Sequence, residues 1–189
     1  MIQVKKLSAE YVQGRMPNHD HIQDDLIRQI RSARSHSIDA EDERVSFTDL
    51  RFRDGHRPWL DTFYRNIDPY LIDFSQQYMH RDFTISSCWF MRYQKGDFSD
   101  WHVHGGCSWA SVYFLKLPSP SIKTSLLNFG DRSLIPLDEV QEGDIISFPS
   151  CMIHCSKPNP FDEEKIVIAF NTDFSFSLVH NYYRAGDMK

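Results

Sequence analysis

His102-Val103-His104 places two imidazoles two residues apart, and a third, His154, follows fifty positions after His104. Neutral imidazole is a common ligand for divalent transition metals. In an extended strand, side chains two apart share a face. His102 and His104 would therefore project together, with Val103 on the opposite side, and could chelate one divalent ion. Gly105-Gly106 directly afterwards lets the backbone bend without Cβ clashes. His154 comes just after Gly143-Asp144-Ile145-Ile146-Ser147-Phe148-Pro149-Ser150. A turn, an apolar strand and then a histidine can deliver a third ligand from a late strand to an early one.

Other constellations compete with this one. His19-Asp20-His21 has the same spacing but opens a helix, where positions two apart diverge by roughly 200°, and reads as surface. Asp100 and His102 are also two apart, so a carboxylate could replace His104. Cys151, His154 and Cys155 suggest structural zinc, but a closed zinc site needs four ligands, and Cys107 could be the fourth only if the fold delivers it. No cysteine has the helix-start surroundings of a thiol nucleophile. His36, His56, His80 and His180 read as surface or packing residues.

The elements that must carry these residues are of two kinds. From Asn18 to Ser35, Ile22, Leu26, Ile30 and Ala33 recur with helical spacing, and Asn18 is the expected N-cap. A second helical region runs from Pro58 to Met79, with Pro58 in its first turn and Pro69 expected to break it in two. The acidic stretch 39–43 reads as a solvated loop. From Phe83 onward, short β-prone runs alternate with turn signals: Phe83–Gln94, Trp101–Leu117, Ile122–Phe129, Asp144–Phe148 and Lys165–Phe170. The expected fold class is α+β, mainly β. It is one domain over 1–189, with a helical part over 1–80 and a strand-rich core over 83–175 closing into a small sandwich or barrel.

Composition narrows the function classes. The formal charge is −5 and the pI near 6.0, with no basic stripe, which argues against nucleic acid as the main partner. No segment approaches about 18 apolar residues, so no membrane span is expected. The start carries no apolar run of signal-peptide length. Four cysteines, Cys88, Cys107, Cys151 and Cys155, read as free thiols of a reducing, cytoplasmic compartment.

Met91-Arg92-Tyr93-Gln94-Lys95-Gly96, Trp101-His102-Val103-His104 and Ser108–Leu115 resemble the metal-binding strands of prolyl-hydroxylase-like 2-oxoglutarate/Fe(II) oxygenases. Gly143–Ser150 with His154, then Lys165–Asn171, resembles their distal half. The likeness covers about residues 85–175 and extends to an uncharacterised bacterial and phage branch of the 2OG-Fe(II) oxygenases. It implies a double-stranded β-helix (jelly roll, cupin-like) with the N-terminal helices packed on one sheet.

It also implies Fe(II) held by His102, His104 and His154, with 2-oxoglutarate as cosubstrate. Lys165 stands where relatives commonly have an arginine for the far carboxylate of 2-oxoglutarate, Tyr93 matches a tyrosine contacting the same cosubstrate, and Asn171 shares the Lys165 face. With period two, Val167 and Ala169 would leave a cavity beside the ammonium. A solvated Lys165 paired with Glu163 or Glu164 is the alternative. Trp101, Trp109, Ser111 and Tyr113 are near enough in sequence to line the mouth. The implied reaction converts 2-oxoglutarate to succinate and CO₂ while hydroxylating a substrate C–H bond.

His104 departs from the family pattern, in which an Asp or Glu usually stands. Two readings remain beside the first: a three-histidine cupin-type dioxygenase working without 2-oxoglutarate, and a non-catalytic metal-binding module. The expected partner is a small-molecule or peptide substrate, with homodimerisation left open.

Overall fold

A computed structural model of the chain describes residues 10–52, 55–78, 80–128, 130–137 and 139–176. Strand β1 (Val12–Arg15) precedes helix α1 (His19–Ser32), and the hairpin of β2 (His36–Asp39) and β3 (Glu43–Thr48) leads to helix α2 (Pro58–Gln77). The remainder is strands: β4 (His80–Tyr93), β5 (Phe98–His102), β6 (Trp109–Lys116), β7 (Thr124–Leu127), β8 (Leu134–Ile135), β9 (Asp144–Pro149), β10 (His154–Ser156) and β11 (Lys165–Phe176). A short 3-10 turn, Pro120–Ile122, precedes β7.

All strand pairings are antiparallel, and the order is β1-β9-β6-β11-β4-β3-β5-β10-β7-β8, with β2 on the free side of β3. Strand β3 is where the sheet rolls over. Its end, Phe47 and Thr48, pairs with β4, while its start, Glu43 and Arg44, pairs with β5. The expected jelly roll forms, but the N-terminal part is not purely helical. Glu43 opens β3 rather than sitting in a solvated loop, because Val45 and Thr48 are fully buried and tie the segment to the core.

Two cores follow from the roll. Trp59, Phe63, Ile67, Leu71 and Phe74 of α2 and Leu26 and Ile30 of α1 pack on the outer face of the sheet against Phe90, Tyr113, Ile168 and Phe170. Between the two layers of the roll lie Val45, Tyr93, Val112, Phe114, Leu126, Phe148, Met152 and Val167. Alternation along β6 makes the division: Trp109, Tyr113 and Leu115 face the helices, Ala110, Val112 and Phe114 the interior.

Several local expectations change. Helix α2 is continuous through Pro69. Pro69 lies on the exposed side, so the carbonyl that loses its donor faces water, while the buried apolar stripe fixes the helix on the sheet. Asn18 occupies the N-cap in a left-handed conformation, φ 58°, without a side-chain cap bond. His19 is buried, not on the surface, with Nδ1 2.7 Å from the Tyr113 hydroxyl. His36 packs edge-on against Phe52; His180 and the side chain of His80 lie outside the described residues.

Candidate metal centre and cosubstrate pocket

Strand pairing creates the site. In the β5–β10 ladder His154 lies directly opposite His102. The strand expected to carry both His102 and His104 ends at His102, and His104 belongs to the loop that follows. That loop is stitched down: His104 N donates to Ser150 O (2.9 Å), Ser150 N to Ser108 O (3.0 Å) and Ser150 Oγ to Cys107 O (2.6 Å). Gly106, at φ 74°, supplies the left-handed turn. The His104 ring therefore reaches its neighbours by loop anchoring, not by strand alternation.

Ring centroids are 5.4 Å apart for His102 and His104, 4.2 Å for His102 and His154, and 4.9 Å for His104 and His154. One nitrogen from each ring lies within 4.8 Å of the others, and these three form the His/Cys/Asp/Glu grouping of metal-binding kind among the described residues. Each Nδ1 faces an acceptor: Asp100 O for His102 (2.7 Å), Asn171 Oδ1 for His104 (2.7 Å) and Met152 O for His154 (2.9 Å). A proton on each Nδ1 satisfies these acceptors and leaves each Nε2 lone pair for a metal. Burial, reinforced by His102, pushes His154 down to about 3, and burial also lowers His104. Both stay in the neutral, ligating form at ordinary pH. Donors at about 2.1 Å from one ion stand about 3 Å apart at right angles, so closure asks for about 2 Å of ring movement at most. The residues fit a divalent transition metal.

The three rings open onto a cavity of about 400 Å³. Lys165, Val167, Ala169 and Asn171 all line it, as their shared face on β11 requires. Lys165 is 1% exposed, paired across the ladder with Tyr93. Its Nζ donates to Ile122 O (2.7 Å) and Ser156 Oγ (2.8 Å) and lies 5.1 Å from the centroid of the Tyr93 ring. The expected alternative of an ion pair with Glu163 or Glu164 is overturned. Glu164 is held instead by Arg31 and Arg92, and no carboxylate lies within salt-bridge distance of Lys165 among the described residues. Burial without a counter-charge pulls the ammonium down to about 7. The Tyr93 hydroxyl contacts Ser99 Oγ at 3.1 Å, and Asn171 lines the cavity beside His104.

Of the four residues expected at the mouth, Trp101 lines the cavity. Trp109, Ser111 and Tyr113 do not, because they share the helix-facing side of β6: Trp109 packs on Phe74, Ser111 bonds Ser147 and Tyr113 bonds His19. Asp100 joins no metal grouping, its Oδ1 accepting from Trp101 N. The zinc alternative finds no support, since all four cysteines are free and none joins the histidines. Ser156 was not singled out from sequence. It lies two after His154 on β10, and the period-two rule would have placed it on the same wall.

No family model matches the sequence, nor does any curated protein. Solved structures do. The chain is similar to an oxidoreductase of the 2OG-Fe(II) oxygenase family from Burkholderia pseudomallei, with a TM-score of 0.69 at 11% identity over 88% of each chain. It is also similar to the 2OG complex of a viral collagen prolyl hydroxylase from Paramecium Bursaria Chlorella virus-1 (TM-score 0.60, 15% identity, 87% of this chain and 96% of that one). A prolyl-4-hydroxylase from Pseudomonas putida gives a TM-score of 0.59 at 14% identity over 89% and 94% of the two chains. The rolled antiparallel sheet with two helices on its outer face is thus the double-stranded β-helix of the 2OG-Fe(II) oxygenases, prolyl hydroxylases included.

Proposed function

We propose that the protein is an Fe(II)- and 2-oxoglutarate-dependent dioxygenase that hydroxylates a small molecule or peptide. The observation that carries this reading is the pairing, in one cavity, of three imidazoles whose Nε2 atoms are left for a metal and a buried ammonium lacking a carboxylate partner among the described residues. His102, His104 and His154 would hold the iron, which supplies oxygen activation coupled to decarboxylation of 2-oxoglutarate.

The chain's own residues do the positioning. Three neutral ligands leave the metal its full charge, which favours an anionic chelator. Lys165, presented by Ser156 and the Ile122 carbonyl, offers its ammonium to the far carboxylate as a point charge. Val167, Ala169 and Val112 shape an apolar wall around the methylene segment and exclude water. Asn171, by accepting from His104 Nδ1, fixes the tautomer that points Nε2 at the ion. Free cysteines fit a cytoplasmic setting, and no described helix is long and apolar enough to cross a membrane.

The neutral ligand set favours one second reading, a three-histidine dioxygenase that works without 2-oxoglutarate. Anaerobic titration of the Fe(II)-loaded protein with 2-oxoglutarate, followed by oxygen and succinate assay, separates the two. The proposal expects saturable binding that is lost in Lys165→Met, and succinate on oxygen exposure. Oxygen uptake with no 2-oxoglutarate binding would replace it with the second reading.

A further inference from the structure

The cavity is polarised. Its buried end carries Lys165 as the only Lys or Arg among its lining residues, and its outer end carries Asp42, Glu43 and Asp100. The β3–β5 pairing brings these three together: Glu43 lies opposite Ser99, whose hydroxyl donates to Glu43 Oε1 (2.9 Å), and Asp100 N donates to Asp42 O (2.8 Å). Asp100 is also the residue whose carbonyl accepts from His102 Nδ1, so the acidic rim is continuous with the metal centre. None of the three carboxylates has a Lys or Arg within ion-pair distance among the described residues, although other surface acids such as Asp39 and Asp162 do. Beside them stand Trp101, 42% exposed, with Trp89, Met91 and Leu50 lining the same cavity. Carboxylates without counter-ions next to an accessible indole are complementary to a desolvating cation, which gains from both.

Resting on the dioxygenase reading above, we infer that the substrate hydroxylated in this cavity carries a cationic group, an ammonium or guanidinium, seated between the Asp42–Glu43–Asp100 rim and Trp101. The two charged ends then sort the two organic ligands. The anionic cosubstrate is drawn to Lys165 and repelled from the rim, and the cationic substrate occupies the outer half with its reacting carbon toward the imidazoles. A substrate bearing a carboxylate at the same place meets three like charges.

The test is a charge series of one shape. N-acetyl-lysinamide, N-acetyl-norleucinamide and N-acetyl-α-aminoadipamide are titrated calorimetrically into the full chain loaded anaerobically with Fe(II) and 2-oxoglutarate. The cationic probe is expected to bind about tenfold tighter than the neutral one at low salt, with the advantage shrinking as salt rises, and the anionic probe weakest. In Asp42→Asn/Asp100→Asn the cation preference falls to about twofold or less. In Asp68→Asn/Asp73→Asn, which removes the same charge from the exposed side of α2, it persists. Equal affinity for cation and neutral isostere, no binding by any probe, or a preference unchanged by the rim variant overturns the inference. A separate titration of 2-oxoglutarate into the Fe(II)-loaded chain, without probe, reports cosubstrate binding independently. Failure there sinks the dioxygenase reading while a surviving charge preference keeps the cation site.

Discussion

Lys165 concentrates the consequences of single residues. Its ammonium is held near 7 by burial, against an ordinary 10.5. Below pH 7 the folded and unfolded states are both protonated and the desolvation penalty is complete. Between 7 and 10.5 the unfolded chain binds the extra proton, so this group's penalty is relieved as pH rises. Lys165→Met should therefore stabilise the ligand-free protein at pH 7 by about 1–2 kcal/mol, seen in chemical denaturation, while abolishing 2-oxoglutarate binding. A carboxylate ligand needs the charged form, so 2-oxoglutarate affinity should fall by up to about tenfold per pH unit above 7, as measured by calorimetry. His104 and His154, lowered by burial, stay neutral through that range. Asn171 acts through His104. Asn171→Ala should weaken Fe(II) binding by about 10-fold or more in a chelator competition, since it releases the tautomer the metal needs.

At the scale of elements, the loop between β5 and β6 is the part on which the candidate metal site most depends. It carries His104 off the end of β5 and is held by the Ser150 turn and by Asp173, whose Oδ1 accepts from Ser108 N and Oγ. Gly106 turns there at φ 74°, with nothing within 4 Å of where a Cβ would stand. Gly106→Ala thus tests backbone conformation alone. It should cost about 1–2 kcal/mol and loosen metal binding, measured as an increased Fe(II) dissociation constant with an unchanged circular dichroism spectrum. The alternation rule expected two histidines on one strand face, whereas the convergence here comes from hydrogen bonds between segments more than forty residues apart. Pro69 failed as a helix breaker for a related reason: packing of Phe63, Ile67, Tyr70 and Phe74 on the sheet outweighs one missing donor on the wet side.

For the whole molecule, the candidate metal centre joins β5, its ladder partner β10 and the loop before β6, so an ion bound there would tie that loop to the β5–β10 pair. At metal 100-fold above its dissociation constant the folded state gains about 2.7 kcal/mol, which for a chain of this size should raise Tm by about 5–10 °C. Differential scanning calorimetry with redox-inert Co(II) should record the rise, its reversal by chelator, and its loss in His154→Ala. A Tm unmoved by metal would count against the shared site.

Local pattern was enough to announce the amphipathic helix from Ile22 to Ile30, the strands around Phe83, Asp144 and Lys165, and the face shared by Lys165, Val167, Ala169 and Asn171, because burial follows periods of 3.6 and 2 that neighbours in sequence report. It was enough, too, to single out His102, His104 and His154 by type and spacing. Only tertiary structure decided that His154 lies across from His102, that Glu164 belongs to Arg31 and Arg92 rather than to Lys165, and that Trp109 and Tyr113 face the helices. Those outcomes depend on which strands pair and how the sheet rolls at β3, and pairing is settled by the summed burial of two cores rather than by any residue's near neighbours.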